Sequence, residues 1–155
     1  MPERIKGVAT IGFVMHTKLH LKGFSFRKLQ KAYECLSGGD ADKVYGDAFR
    51  REGAAVRGIG NNVTLEYNNM DFGDTGADRV SFTGYTPLAG NTIHIHFTDE
   101  SGETVNRIVE FAGSDKQTSC EQTFRIERLK GRGKIELIFL PGSNFDLESI
   151  QFHRG

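Results

Sequence analysis

The sequence predicts an all-β protein folded as an antiparallel β-sandwich, with one short helix near its N-terminus. Apolar residues alternate with polar ones in short segments, for example at Val63, Leu65 and Tyr67. Such alternation places one face of a strand against a core and the other in water. Turn-forming glycines separate the segments, and the chain has 19 glycines but only 3 prolines. Seven or more short strands with regular turns are typical of a sandwich.

The first 40 residues differ from the rest of the chain, and we expect them to form a linker or extra strand followed by the helix. Residues 8–15 are mostly apolar, and residues 18–26 alternate. Over residues 27–36, apolar side chains recur at helical spacing and form one stripe. The glycine pair at 38 and 39 would end this helix. The predicted organisation is therefore a linker and helix at 1–40 and one sandwich domain at 41–155.

From residue 42 onward the apolar residues have a period of two, which predicts a succession of strands. We expect strands at residues 44–49, 63–67, from 80 onward, 93–97, 105–111, around 124–126, at 134–140 and up to 152. Turns are expected at residues 71–78, 99–102 and 130–133.

Composition excludes several functional classes. Lys plus Arg and Asp plus Glu number 20 each, so the chain lacks the basic surplus that a nucleic-acid-binding protein usually carries. No apolar run approaches the length of a membrane span, and no signal peptide is recognisable, which leaves the compartment open. Cys35 and Cys120 are expected to be two buried thiols, with a single disulfide as the alternative.

Two blocks of the sequence carry a family resemblance. Residues 56–73 read Val-Arg-Gly-Ile-Gly-Asn-Asn-Val-Thr-Leu-Glu-Tyr-Asn-Asn-Met-Asp-Phe-Gly. The second block spans residues 133–152, and its closing part at 142–152 reads Gly-Ser-Asn-Phe-Asp-Leu-Glu-Ser-Ile-Gln-Phe. Both resemble motifs of the family 6 carbohydrate-binding modules, in the same order and at similar spacing. The resemblance implies a jelly-roll sandwich of the galactose-binding-domain-like type, which binds sugars and does not cut them.

A narrower resemblance involves four short motifs, at residues 21–24, 44–47, 58–62 and 139–143. They are similar to the C-terminal module of some bacterial glycoside hydrolase family 2 β-galactosidases. This resemblance implies a longer parent enzyme, with the first 40 residues linking the module to its catalytic part.

The resemblance also indicates where a sugar would bind. The family's cleft uses a Tyr, a Trp and an Asn, which correspond here to Gly58, to the neighbourhood of Cys120, and to Asp146; the chain contains no Trp. Asp146 is the best polar candidate, because a carboxylate can bind two sugar hydroxyls with charge-assisted hydrogen bonds. The alternative is a turn residue that binds its own backbone.

Four further residues are candidates for the same cleft. Asn61, Asn62 and Asn144 could supply amides, although asparagine in turns is also ordinary turn chemistry. Tyr85 could replace the missing stacking ring, because the apolar C–H patches of a pyranose stack on aromatic faces. Its alternative role is an aromatic residue at a strand end that closes the core.

A structural calcium ion is a further expectation from the resemblance. Asp47 and Glu148 match positions where the family holds calcium between its first and last strands, and a hard cation needs several oxygen ligands. Tyr45 stands where the family often has another oxygen ligand. The alternative is a surface pair of carboxylates.

Other titratable residues do not form a convincing site. His94 and His96 lie two apart on a predicted strand, but the sequence suggests no third metal ligand, so an exposed strand face is favoured. The acid pairs Asp99/Glu100 and Glu127/Glu136 lie in a turn or on solvent-facing positions, so a glycosidase is not favoured. No Ser-His-Asp elbow and no phosphate loop is present.

The resulting hypothesis is a non-catalytic module that brings a glycoside hydrolase to a β-galactoside or another plant-type glycan. Its partners would be an oligosaccharide or polysaccharide and the parent's catalytic domain. The alternative is a structural or interaction module that packs on the catalytic domain or on a second subunit without binding sugar.

Overall fold

The computed structural model describes residue 16 and residues 30–155, and the latter form two β-sheets packed face to face. The strands are β1 Leu36–Ser37, β2 Lys43–Tyr45, β3 Arg50–Glu52, β4 Ala55–Ile59, β5 Val63–Asp71, β6 Ala77–Tyr85, β7 Gly90–Asp99, β8 Thr104–Ala112, β9 Cys120–Leu129, β10 Arg132–Phe139 and β11 Phe145–Arg154. Because nearly all regular structure is strand, the prediction of an all-β protein is confirmed.

The two sheets differ in strand order. The first sheet has six strands in the order β3-β4-β11-β6-β9, and β1 pairs with β11 beyond the end of β4. The second sheet has five strands in the order β2-β5-β10-β7-β8. All pairs are antiparallel, as predicted.

Aromatic side chains fill the space between the sheets. Phe72 makes edge-on contacts with Phe97 and Phe152, with ring centroids 5.4 and 5.1 Å apart. Toward the other end, Phe145 lies against Phe111 at 4.9 Å and against Phe139 at 5.6 Å. All six rings are buried, so the two clusters tie β11 of the first sheet to the strands of the second.

The sandwich has two ends that carry different loops. The β4–β5, β6–β7, β8–β9 and β10–β11 connections lie at one end, which we call the loop end. The β5–β6, β7–β8 and β9–β10 turns lie at the opposite end, which we call the far end. Antiparallel strand order places these connections alternately at the two ends.

The predicted helix at residues 27–36 is wrong over its described part. Only Lys31–Tyr33 form a single 3₁₀ turn, after which Glu34 is extended and Leu36 enters β1. Leu36 pairs with Ile150 of β11. A ten-residue helix is marginal on its own, so tertiary packing decides its conformation. Residues 27–29 lie outside the described residues.

Residues 30–40 nevertheless pack on the sandwich. Ala32 and Leu36 are buried in the common core, and the Tyr33 hydroxyl donates to the Phe72 carbonyl at 2.7 Å. The Tyr67 hydroxyl donates to the Ser37 carbonyl, and burial raises the pKa of Tyr67 far above its ordinary value. The domain boundary at residue 40 stays a prediction, and these contacts favour an earlier start.

The expected first strand at 44–49 is shorter than predicted. β2 ends at Tyr45 because Gly46 adopts a φ of 142° and passes so close to Asn62 that a side chain would overlap its carbonyl. The chain turns before β3 begins at Arg50. The expected extended segments at 8–15 and 18–26 lie outside the described residues.

Two further expectations concern the cysteines and the membrane. Both thiols are free; Cys120 is half-buried, whereas Cys35 is exposed because its neighbour Leu36 takes the core-facing position. Over the described residues, no helix has the length and apolar character needed to span a bilayer.

Candidate functional site

The Asp146 side chain lies on the outer face of the first sheet. Its neighbours Phe145 and Leu147 are buried, so alternation along β11 directs Asp146 outward. Its Oδ1 accepts a hydrogen bond from the backbone N–H of Gly58 at 2.7 Å. The carboxylate therefore anchors the neighbouring strand β4 and is not a turn residue that binds its own backbone.

Gly58 belongs to a bulge in β4. Ile59 pairs with Phe145 and Val56 pairs with Leu147, which leaves Arg57 and Gly58 together opposite Asp146. Gly58 has a φ of 59°, in the left-handed region that favours glycine. Bulges of this type re-aim side chains and are frequent beside functional sites. The position that corresponds to the family's Tyr is thus a bulge without a side chain.

Arg57 connects three carboxylates on this face, and we call the group the Arg57 cluster. Its guanidinium lies 3.3 Å from Glu52, 3.4 Å from Asp146 and 4.0 Å from Glu148. Arg50 binds the other oxygen of Glu52 at 3.1 Å. Two guanidinium groups and three carboxylates are partly exposed here, so the cluster is polar and accessible to a ligand.

Tyr85 and Asp146 are brought together by strand pairing. Asp146 of β11 is directly opposite Tyr85 of β6, and both side chains are partly exposed. Side chains directly opposite each other on adjacent strands lie on the same face and in contact range. A ring and a carboxylate in this arrangement offer a stacking surface next to a hydrogen-bond acceptor.

The three asparagines lie at the loop end, as predicted, but two of their amides serve the loops themselves. Asn61 Oδ1 accepts from the Gly142 N–H at 2.8 Å, and so joins two loops. Asn62 Nδ2 donates to Asp47 at 2.9 Å. Asn144 is held through its backbone, since its N–H donates to Asn91 Oδ1 at 2.9 Å. Its own side chain has no hydrogen-bond partner among the described residues.

The residues proposed for calcium have separate partners. Asp47 accepts from Asn62, whereas Glu148 belongs to the Arg57 cluster. Within the described part of the chain, no three acidic, histidine or cysteine side chains are grouped as metal ligands. A guanidinium beside Glu148 competes with a cation for the same oxygens. These residues therefore do not fit a calcium ion as arranged, and the calcium site stays a prediction.

The His94 and His96 rings lie side by side on β7, with their centroids 6.5 Å apart, whereas the glutamates weighed as a catalytic pair lie on different sheets. His94 lies 3.3 Å from the Asn106 amide on the outer face of the second sheet. Glu127 is on β9 of the first sheet and pairs with Arg107, whereas Glu136 is on β10 of the second and pairs with Lys134. The two glutamates are therefore not placed as a catalytic pair.

Sequence reasoning missed Arg57 and Arg50, which surround the predicted residues Gly58 and Asp146. The signal was present, because Arg57 stands between Val56 and Ile59, which are buried, and an outward position follows from alternation. The ion pairs could not be predicted from the sequence, since they depend on how β3, β4 and β11 are paired.

Comparison with known proteins shows which solved structures share this fold. No protein-family model matches the chain, and no curated protein matches it well enough to count as a relative. Among solved structures, it is similar to the module CBM6-3 from Clostridium stercorarium, determined with cellobiose: the identity is 25%, the TM-score is 0.64, and the match covers 80% of this chain and 95% of that module.

Two other solved structures extend the comparison. A family 6 carbohydrate-binding module from Clostridium cellulolyticum, determined with xylose, matches with 23% identity and a TM-score of 0.66 over 79% of this chain and 98% of that one. A glycoside hydrolase family 43 arabinoxylan arabinofuranohydrolase from Bacillus subtilis matches with 22% identity and a TM-score of 0.56 over 65% of this chain and 21% of the enzyme. The chain therefore has the β-sandwich fold of the family 6 carbohydrate-binding modules.

Proposed function

We propose that the chain is a non-catalytic carbohydrate-binding module. The observation that carries this proposal is the shared fold: modules determined with cellobiose and with xylose match about four fifths of this chain. A fold alone does not define a function, so the proposal also needs a site with the chemistry of sugar recognition.

The site we propose lies where the first sheet meets the loop end. Tyr85 offers a ring face for the apolar side of a pyranose, and Asp146 lies directly opposite it. Oδ1 of Asp146 already binds Gly58, whereas Oδ2 has, among the described residues, only the 3.4 Å contact with Arg57. That second oxygen can accept a sugar hydroxyl in a charge-assisted hydrogen bond.

Three further residues border this site. Asn144 precedes Phe145 and Asp146 in the chain and offers an unused side-chain amide, whereas Asn61 and Asn62 shape the loops around it through their own hydrogen bonds. Gly58 contributes through its missing side chain, because the atoms nearest to the space a side chain would take belong to the flexible guanidinium of Arg50.

We further propose that the module targets a glycoside hydrolase to its substrate. The ligand would be a β-galactoside or another plant-type glycan, and the parent would resemble the glycoside hydrolase family 2 β-galactosidases named above. Support comes from the family 43 enzyme, in which a matching region forms 21% of a glycoside hydrolase. Weak binding to a polymer raises the effective concentration of an attached catalytic domain.

Calorimetric titration tests the sugar site. We expect binding of cello- or xylo-oligosaccharides or galactosides in the millimolar range, weakened about tenfold by Asp146→Asn and by Tyr85→Leu. Asp146→Asn keeps an oxygen for the Gly58 N–H, so the fold is retained. The exposed Asp74→Asn in the β5–β6 turn is the matched control and should bind as the wild type does. No heat with any glycan would overturn the proposal.

A second candidate, an interaction module without sugar binding, is favoured by one group of observations. The chain has no Trp, and Tyr45, Ile108 and Leu140 are 48%, 58% and 47% exposed. Light scattering over a range of protein concentrations distinguishes the two. A stable dimer that Ile108→Ser dissociates, together with a flat glycan titration, would support this candidate, and a monomer that binds glycans would exclude it.

A further inference from the structure

A cavity lies at the far end of the sandwich, away from the proposed sugar site. Its volume is about 760 Å³, within the range of about 300–1,000 Å³ that small-molecule sites occupy. The end of β5, the start of β10 and the β7–β8 turn form its walls, together with Gln30 and Lys31. We call it the far-end pocket.

A backbone irregularity lies in the wall of this pocket. The pairing of β5 with β10 shifts register between Gly133 and Ile135, so that Asn68 and Asn69 together oppose Lys134. Asn69 adopts a φ of 58°, which is uncommon for a residue with a side chain. Position 133 in the pocket wall has room only for glycine, because a side chain there would overlap the Thr98 carbonyl. Bulges and left-handed residues of this kind cluster at functional sites.

The far-end pocket presents unused hydrogen-bonding groups. Asn68, Asn69 and Glu100 line it, and none of their side chains has a hydrogen-bond partner among the described residues. At the loop end, by contrast, the amides of Asn61 and Asn62 are already engaged. Amides and a carboxylate around a concavity match the donors and acceptors of sugar hydroxyls.

The charges around the pocket favour a neutral ligand. Each of its three cations already has a carboxylate: Lys31 lies 3.1 Å from Asp42, Arg132 lies 2.9 Å from Asp71, and Lys134 lies 3.2 Å from a neighbouring glutamate. An acidic sugar would have to compete with these pairs. Glu100, which no cation in the described residues neutralises, would repel it.

We propose that the far-end pocket is a second binding site, for a neutral sugar unit of a glycan. Asn68 and Asn69 bind ring hydroxyls through their amides, and Glu100 accepts from a vicinal pair. The proposal takes its ligand class from the proposed function but uses different residues at the opposite end of the molecule. Two sites on one module let it hold two chains of a polymer, or two points of one chain.

The experiment is an NMR titration of ¹⁵N-labelled full-length protein with cellobiose and, separately, with xylose. We expect saturable shifts of the backbone amides of Asn69, Glu100 and Gly133. The double variant Asn69→Gly/Glu100→Ala should bind at this site at least about tenfold more weakly. Glycine at 69 retains the left-handed backbone, and Glu100 is exposed in a turn, so the variant should fold. Asp146→Asn should leave these shifts unchanged.

The two proposals fail differently in this titration. Shifts at Gly58, Asp146 and Tyr85 without any at Asn69, Glu100 and Gly133 would overturn the second site and leave the first intact. Shifts confined to the far-end pocket would support the second site and overturn the first. Pocket shifts that persist unweakened in the double variant would also overturn the second site, because its binding groups would then be wrong.

Discussion

Asp146 Oδ1 and the backbone N–H of Gly58 form a hydrogen bond of 2.7 Å that joins β11 to the bulge of β4. A bulge leaves at least one backbone group without a ladder partner. Here the side chain of the opposite strand takes the place of that partner. The residue that we propose for sugar binding therefore also holds the fold, so the two roles must be separated by experiment.

Replacing Asp146 should reveal its structural role. Asp146→Ala leaves the Gly58 N–H without its acceptor, and we expect a loss of about 1–2 kcal/mol in the free energy of unfolding. Asp146→Asn keeps an acceptor oxygen and should lose less. Urea unfolding followed by circular dichroism measures both.

Glu148→Ala is the matched control for that series. Glu148 lies on the same strand and face, but its contact with Arg57 is 4.0 Å long and partly exposed. Such pairs are worth at most about 1 kcal/mol. If Glu148→Ala destabilised the protein more than Asp146→Ala, the hydrogen bond to Gly58 would not be the main contribution of Asp146.

The start of the folded unit can be located by truncation. A chain that begins at residue 41 lacks Leu36, which is 1% exposed and pairs with Ile150. We expect it to melt well below a chain that begins at residue 30. Leu36→Ala in the full chain should lose about 2–5 kcal/mol, as buried leucines do. Equal melting temperatures for the two truncated chains would restore the boundary at residue 40.

The calcium prediction can be tested by thermal unfolding. Because Asp47 binds Asn62 and Glu148 lies beside Arg57, we expect the melting temperature to be unchanged by a chelator and by added calcium. A ligand that binds only the folded state would raise it with concentration. A rise with calcium that Asp47→Asn abolishes would show that these side chains rearrange around an ion.

Acid should weaken the β7–β8 hairpin through Asp99. The hydrogen bond from the Ser101 hydroxyl, assisted by the backbone N–H groups of Ser101 and Glu103, lowers the pKa of Asp99 below its ordinary 3.8. Because the folded pKa is the lower one, the stabilisation is present above pH 3.8 and is lost as the pH falls through the folded pKa.

Urea midpoints at pH 7 and at pH 3 or below measure this effect. Asp99→Ala should be less stable than the wild type at pH 7, and the difference should shrink in acid. Glu103→Ala, in the same exposed turn, is the control for a general loss of charge. If the difference in stability between wild type and Asp99→Ala did not change with pH, titration of the Asp99 carboxylate would not be the cause of the acid effect.

The closing strand shows why much of the fold could be predicted from the sequence. Phe145, Leu147, Ile150 and Phe152 are buried, and they are apolar in the chain. Alternation is a local property, which can be recognised from the residues of each strand alone. The prediction of a helix at 27–36 was wrong because the local pattern is ambiguous there: its apolar stripe fits both a helix and a core-facing strand. Pairing with β11, which is distant in the chain, selects the strand conformation for Leu36.

The sequence by itself determined the class of the fold, the positions of most strands and the polar residues at the loop end. Only the tertiary structure decided what those polar residues do. Asp146 binds the Gly58 N–H, and Asn61 binds the Gly142 N–H. Each of these relations joins residues on strands or loops whose neighbours are set by the sheet order, and a local pattern contains no information about a partner distant in the chain.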